Sequence, residues 1–89
     1  MYKIIADDIY KKKLVKFIKK HPDLKEKYFK TIKLLENNPF YPSLRLHKLK
    51  GDKKDFFSIS INMQYRIIID FIVIDNVILL LDIGNHEIY

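Results

Sequence analysis

Cysteine is absent from the 89 residues, so neither a disulfide framework nor a thiolate metal site supports the fold, and nothing calls for an oxidising compartment. Long uncharged apolar runs are missing too. Asp70, Asp75 and Asp82 interrupt the most hydrophobic stretches, and no N-terminal segment joins a basic start to an apolar run. Transmembrane and signal-peptide readings therefore fail, and a soluble, cytoplasmic protein is expected. There is no internal repeat and no low-complexity tract. With only three histidines, none paired at helical metal-ligand spacing, no zinc site or other cofactor is expected. A chain this short buries about 60–65% of its unfolded surface and cannot divide that between two cores, which leaves one domain spanning 1–89.

What is abundant is lysine, and its placement is uneven. The formal charge is +6. Residues 1–37 carry eleven lysines against five acidic groups, and residues 38–55 carry five basic groups against two acidic ones. Residues 56–89 reverse the sign, with Arg66 against Asp70, Asp75, Asp82 and Glu87. A basic excess on a small domain suits a polyanionic partner through counterion release, although lysine-rich helix faces also serve as plain solubilising surface.

Periodicity supplies the elements. A short β-rich run at Tyr2–Ile5 precedes Asp7 and Asp8, whose side chains can accept from the first free N–H groups of a helix. Tyr10, Leu14, Phe17 and Ile18 then fall on one helical face with the lysines opposite. His21-Pro22 closes this helix, because proline disfavours the α conformation in the residue before it. Asp23 and Glu26 have the spacing of a capping box for a second helix, with Leu24, Tyr28, Ile32 and Leu35 as its apolar stripe and Asn37-Asn38-Pro39 as its end. "PFYPSLRLHKLKGDKK" (39–54) has no sustained period and reads as a long, mostly irregular connection. Three β-rich runs follow, joined by turn-like Asn62-Met63-Gln64 and Asp75-Asn76, and predict an antiparallel meander. The expected architecture is α+β in the order β-α-α-β-β-β, two helices packed on one face of an antiparallel sheet.

Few residues fall outside a plain core: Arg45, His47, Arg66, His86, Tyr89, and the loop lysines Lys48, Lys50, Lys53 and Lys54. Arg66 stands among isoleucines, where a charge is costly unless it is paired or faces a cleft. Two readings are open for it: an ion pair with Asp70, two residues along the same face, or a ligand site for an anion. His47 and His86 could each be ordinary surface residues. Taken together, two imidazoles able to exchange protons near neutral pH, a permanent guanidinium and a phenol match the needs of RNA cleavage through the ribose 2′-OH.

At these residues the sequence resembles the RelE/ParE superfamily of toxins from type II toxin–antitoxin pairs. The resemblance covers essentially the whole chain and rests on "LRLHKLKG", then "YRIII", then "DIGNHEIY". It implies a RelE-like fold and an mRNA interferase acting on the ribosome. His47 takes the place of the loop residue that serves as general base, Arg66 that of the strand arginine at the scissile phosphate, His86 that of the acid, and Tyr89 that of the near-terminal aromatic residue that stacks on a base or handles a proton. Arg45, Lys48, Lys50, Lys53 and Lys54 would bind substrate. The implied partners are a cognate antitoxin, mRNA and the ribosome with its 16S rRNA, and operator DNA only through the antitoxin complex.

The sequence departs from YafQ-like members at Ser60 and Gln64, where they carry a histidine and an aspartate, and its His86–Tyr89 spacing is one residue tighter. YafQ-like and YoeB-like features are thus mixed. Two alternatives stay open: a ParE-like inhibitor of DNA gyrase, and an inactive module that binds antitoxin and operator.

Overall fold

A computed structural model describes residues 1–51, 56–72 and 75–85. The elements run β1 (Lys3–Ala6), α1 (Asp8–Lys20), a 3₁₀ turn (Pro22–Leu24), α2 (Lys25–Asn37), a second 3₁₀ turn (Pro42–Leu44), β2 (His47–Lys48), β3 (Phe57–Ser60), β4 (Tyr65–Ile72) and β5 (Val77–Asn85). Asp7 caps α1, its carboxylate accepting from the Tyr10 N–H at 2.8 Å. The second cap differs from expectation. Asp23 and Glu26 form no capping box, because Pro22 initiates a 3₁₀ turn that runs straight into α2 with no side-chain cap.

The five strands form one sheet in the order β1-β5-β4-β3-β2. The meander β3-β4-β5 is antiparallel, whereas β1 pairs parallel to β5, with Lys3 opposite Val77 and Ala6 opposite Leu80. The sheet is therefore mixed rather than wholly antiparallel: the helices between β1 and the meander carry the chain across the sheet, so β1 lies alongside the last strand. The connection 39–54 is less irregular than its composition predicts, since His47 and Lys48 add a short edge strand opposite Ser58 and Phe57.

One turn deserves its own account because it fixes register. The Asn62 side-chain oxygen accepts from the N–H groups of Gln64 at 2.9 Å and Tyr65 at 2.8 Å, an Asx-type closure that starts β4 at Tyr65. From there alternation sends Tyr65, Ile67, Ile69 and Phe71 toward the helices and Arg66, Ile68 and Asp70 to the other face. Tyr10, Phe17, Tyr28, Leu35 and Leu44 meet Ile59, Ile61, Ile67, Ile69, Ile78, Leu80 and Ile83 in the main core. The helix-free face is not bare, for Leu49, Ile68, Val77 and Ser58 are also buried.

The helices are tied by an interior polar contact. The hydroxyls of Tyr10 and Tyr28 are 2.8 Å apart, and both residues are almost wholly buried. Burial, above all, pushes the Tyr10 phenol well above its ordinary value of 10.0, with Tyr28 and then Asp82 adding to the effect; burial also raises Tyr28, against a lowering contribution from its bond to Tyr10. The folded state thus holds these protons after the unfolded chain has lost them, so stability is full below pH 10.0 and falls as pH rises above it. Each hydroxyl is satisfied by the other. Tyr10→Phe or Tyr28→Phe should therefore cost about 1–3 kcal/mol by stranding a buried hydroxyl, and the double replacement should cost less than the two single costs combined. Urea titration at pH 7 measures the cycle, and repeating it above pH 10 should show a smaller alkaline loss in the double variant.

Candidate active site

Two rows of residues cross the helix-free face. In the first, Arg66 lies opposite Ser60 on β3 and Gly84 on β5. In the second, His47 on the edge strand lies opposite Ser58, which lies opposite Ile68. Two strand spacings and two residues along the strand separate the backbones of His47 and Arg66, a diagonal of about 12 Å. Side chains of their length can approach a common ligand from its two sides across that gap.

Arg66 is the anomaly of the sheet. Its Nε and Nη1 are buried and, among the described residues, have no hydrogen-bond partner. Nor does Asp70 supply the counter-charge, since the ion pair found among the described residues is Lys13–Asp82 at 3.3 Å. Of the two readings the sequence leaves open, the Arg66–Asp70 pair does not form. Residues two apart on a strand are separated by about 7 Å, and closing that distance would take both side chains out of extended rotamers. Buried N–H donors without acceptors are expensive, which makes them a site for an incoming anion.

His47 is held at both ring nitrogens. Nδ1 is 3.2 Å from the Arg45 carbonyl oxygen, which can only accept, so Nδ1 carries the proton. Nε2 is 3.3 Å from the Ser58 hydroxyl. In the neutral ring Nε2 accepts from that hydroxyl; in the imidazolium it donates to it. Ser58 is fully buried on β3, so it acts only through the ring it orients. No local pattern in the sequence marks Ser58 as the partner of His47, because only the β2–β3 register brings them together.

The carbonyl that fixes His47 belongs to a strained residue. Arg45 has φ 49, in the left-handed region, at the end of the Pro42–Leu44 turn, a conformation costing a residue with a Cβ about 1–2 kcal/mol. Its guanidinium is exposed, with Nη1 3.6 Å from the Met63 sulfur, and it borders a crevice of about 320 Å³ shared with Lys27 and Thr31 of α2. Lys48 and Lys50 are exposed on the same connection. Arg45, His47, Lys48, Ser60 and Arg66 thus gather along one half of the sheet. Lys53, Lys54, His86 and Tyr89, also expected at the site, lie outside the described residues.

Comparison with known proteins fits this architecture. The chain is similar to YafQ from E. coli (TM-score 0.77, 19% identity, 99% of this chain and 97% of that one). It is also similar to a metal-bound toxin from Helicobacter pylori (0.78, 26%, 98% and 97%) and to the YoeB–YefM complex from Staphylococcus aureus (0.73, 18%, 97% and 98%). These likenesses define a small RelE-like toxin fold. Residues 7–86 match the model of the HigB-like toxins, described as RelE-like toxins of the type II toxin–antitoxin system HigB. The chain belongs to that family. No curated protein sequence matches it.

If the unpartnered guanidinium awaits a ligand, removing its charge costs the fold nothing. Arg66→Met, which keeps most of the apolar stem, should leave unfolding free energy unchanged or raise it by up to about 2 kcal/mol. Loss of more than that in thermal or urea unfolding would mean that Arg66 is a structural member of the sheet.

Proposed function

We propose that this HigB-family toxin is an endoribonuclease that cleaves mRNA on the ribosome. The buried, unpartnered Nε and Nη1 of Arg66 carry the reading, because an anionic phosphate is the ligand that would satisfy both a buried cation and two idle donors. Family membership and the YafQ and YoeB likenesses support it.

In the proposed reaction the ribose 2′-OH gives its proton to His47 as the 2′-oxygen attacks the adjacent phosphorus. To accept it, Nε2 exchanges its long bond to Ser58 for the 2′-OH, while the bond to the Arg45 carbonyl keeps the ring's tautomer. Arg66 stabilises the extra negative charge of the pentacoordinate phosphorane. The P–O5′ bond breaks as His86 protonates the 5′-oxygen, leaving a 2′,3′-cyclic phosphate and a 5′-hydroxyl. Tyr89 stacks on a base or assists proton movement, and Arg45, Lys48, Lys50, Lys53 and Lys54 hold the backbone. DNA lacks the 2′-OH and is not cut. The cognate antitoxin silences the site by covering this cationic face. The YoeB neighbour is itself a complex with YefM.

Single-turnover cleavage on programmed ribosomes, read by mapping 5′-hydroxyl ends, tests this directly. Arg66→Met should slow cleavage by about 10²–10³-fold and His47→Gln or His86→Gln by about 10²–10⁴-fold. Ser58→Ala, with a folded chain, should shift the acidic limb of the pH–rate profile, the limb set by the general base, by changing how the ring is held. A folded Arg66→Met, His86→Gln double variant cutting at the wild-type rate would sink the assignment, and gyrase supercoiling measured alongside would expose a ParE-like activity.

A further inference from the structure

A second cationic site lies around the end of the sheet from Arg66, on the helix side. The C-terminal half of α1 and the ends of β4 and β5 enclose an open groove of about 610 Å³. Phe17, His21 and Tyr65 form its floor, with ring centroids 4.8 Å apart for Phe17 and His21, 4.6 Å for His21 and Tyr65, and 5.2 Å for Phe17 and Tyr65. Lys13, Lys16, Lys19 and Lys20 rim it, and among the described residues no carboxylate lines it. Asp82 engages Lys13; among the described residues no carboxylate pairs with Lys16, Lys19 or Lys20.

We infer that this groove binds the phosphate backbone of the same RNA strand whose scissile phosphate sits at Arg66, holding the nucleotides just beyond the cut. Three observations favour RNA. A cationic rim over an aromatic floor is the combination by which single strands are held without sequence preference, through phosphate neutralisation and contact with bases. The groove is also continuous with the proposed site: Tyr65 on its floor precedes Arg66 on β4 and emerges on the opposite face, and Gly84, which lines the groove, is the residue opposite Arg66 on β5. One strand rounding the sheet end meets both. Finally, Gly84, which has no side chain, stands at that corner. The inference rests on the ribonuclease reading, but its test does not require cleavage.

The probe is a labelled oligouridylate with 2′-O-methyl riboses, which cannot be cut, bound to the full chain and followed by fluorescence anisotropy across a salt series. Combined Lys16→Ala, Lys19→Ala and Lys20→Ala should reduce the slope of log affinity against log salt by about 2, as expected for three lost contacts to a single strand, and weaken binding on the order of tenfold or more near 0.1 M salt. Lys25→Ala, Lys30→Ala and Lys33→Ala, which remove the same charge from the exposed face of α2, should leave the slope within about 0.5. With a trinucleotide too short to reach both sites, the groove variant should bind like the wild type.

Equal slopes for the two triple variants, an equal effect on the trinucleotide, or no RNA binding by the wild-type chain would overturn the groove. So would a groove variant that keeps its RNA affinity but loses affinity for the cognate antitoxin, which would assign the surface to an acidic protein segment. If ribosomal cleavage fails while the slope changes as expected, the groove stands and the catalytic assignment falls. If cleavage proceeds and the slope does not change, the groove alone falls.

Discussion

The register of β4 is the constraint on which the rest depends. A strand has two faces, and a slip of one residue exchanges them. With Tyr65 as its first residue, β4 sends Ile67 and Ile69 under the helices and Arg66 to the opposite face. A slip would place a guanidinium in the main core and an isoleucine at the site. Two features hold the register. The Asn62 side chain satisfies the N–H groups of Gln64 and Tyr65 at the start of the strand, and the shift in β4–β5 pairing between Ile68 and Ile69 absorbs one extra residue of β5, as a β-bulge does. That shift lets Leu80 and Ile83 both join the core although they are three apart, and returns Gly84 to the row of Arg66.

On the proposed reading, stability and reactivity are therefore assigned to opposite faces of one strand. The core beneath the helices is self-satisfying, to the point that its interior hydroxyls, Tyr10 and Tyr28, bond to each other. The far side keeps two arginine donors without acceptors among the described residues and a histidine oriented by the carbonyl of an arginine in a left-handed conformation. Both are costs that packing does not recover. Costs of that kind persist where a ligand or a partner completes the arrangement, and for a toxin of the HigB family an antitoxin, or on the proposed reading an RNA substrate, would do so.

Much of this was legible in the sequence, for local reasons. Asp7 as a cap, the stripe of Tyr10, Leu14 and Phe17, the stop at His21-Pro22 and the turns at Asn62 and Asn76 are each set by residues within a few positions of one another, and each is found in place. What was not legible depends on pairing between distant segments. A two-residue strand such as His47–Lys48 carries no period. The parallel placement of β1 beside β5 is decided by the whole path of the chain, and the burial of Ser58 beneath His47 by a register that only the folded sheet fixes. The capping box failed for a local reason of a different kind. Pro22, with its fixed φ, had already begun a turn before Asp23 could act as a cap.

The lysines are the last step. Sixteen of the seventeen basic residues precede the strand that holds Arg66, yet among the described residues it is Arg66 whose buried donors lack a partner. The exposed lysines act through a field that salt screens within about 8–10 Å, so they can gather a polyanion and orient it but cannot tell one phosphate from the next. On the proposed reading Arg66 does this, because its Nε and Nη1 are buried, where a charge-assisted bond is strongest. In the proposed reaction, capture and selection would fall to different parts of the chain: exposed lysines of α1 would draw the strand in, and the buried donors of Arg66 would pick out the phosphate that reacts. This proposed division would let a domain built mostly from helix propensity and isoleucine packing still hold one position to the tolerance that chemistry needs, since the position lies on the central strand of its sheet.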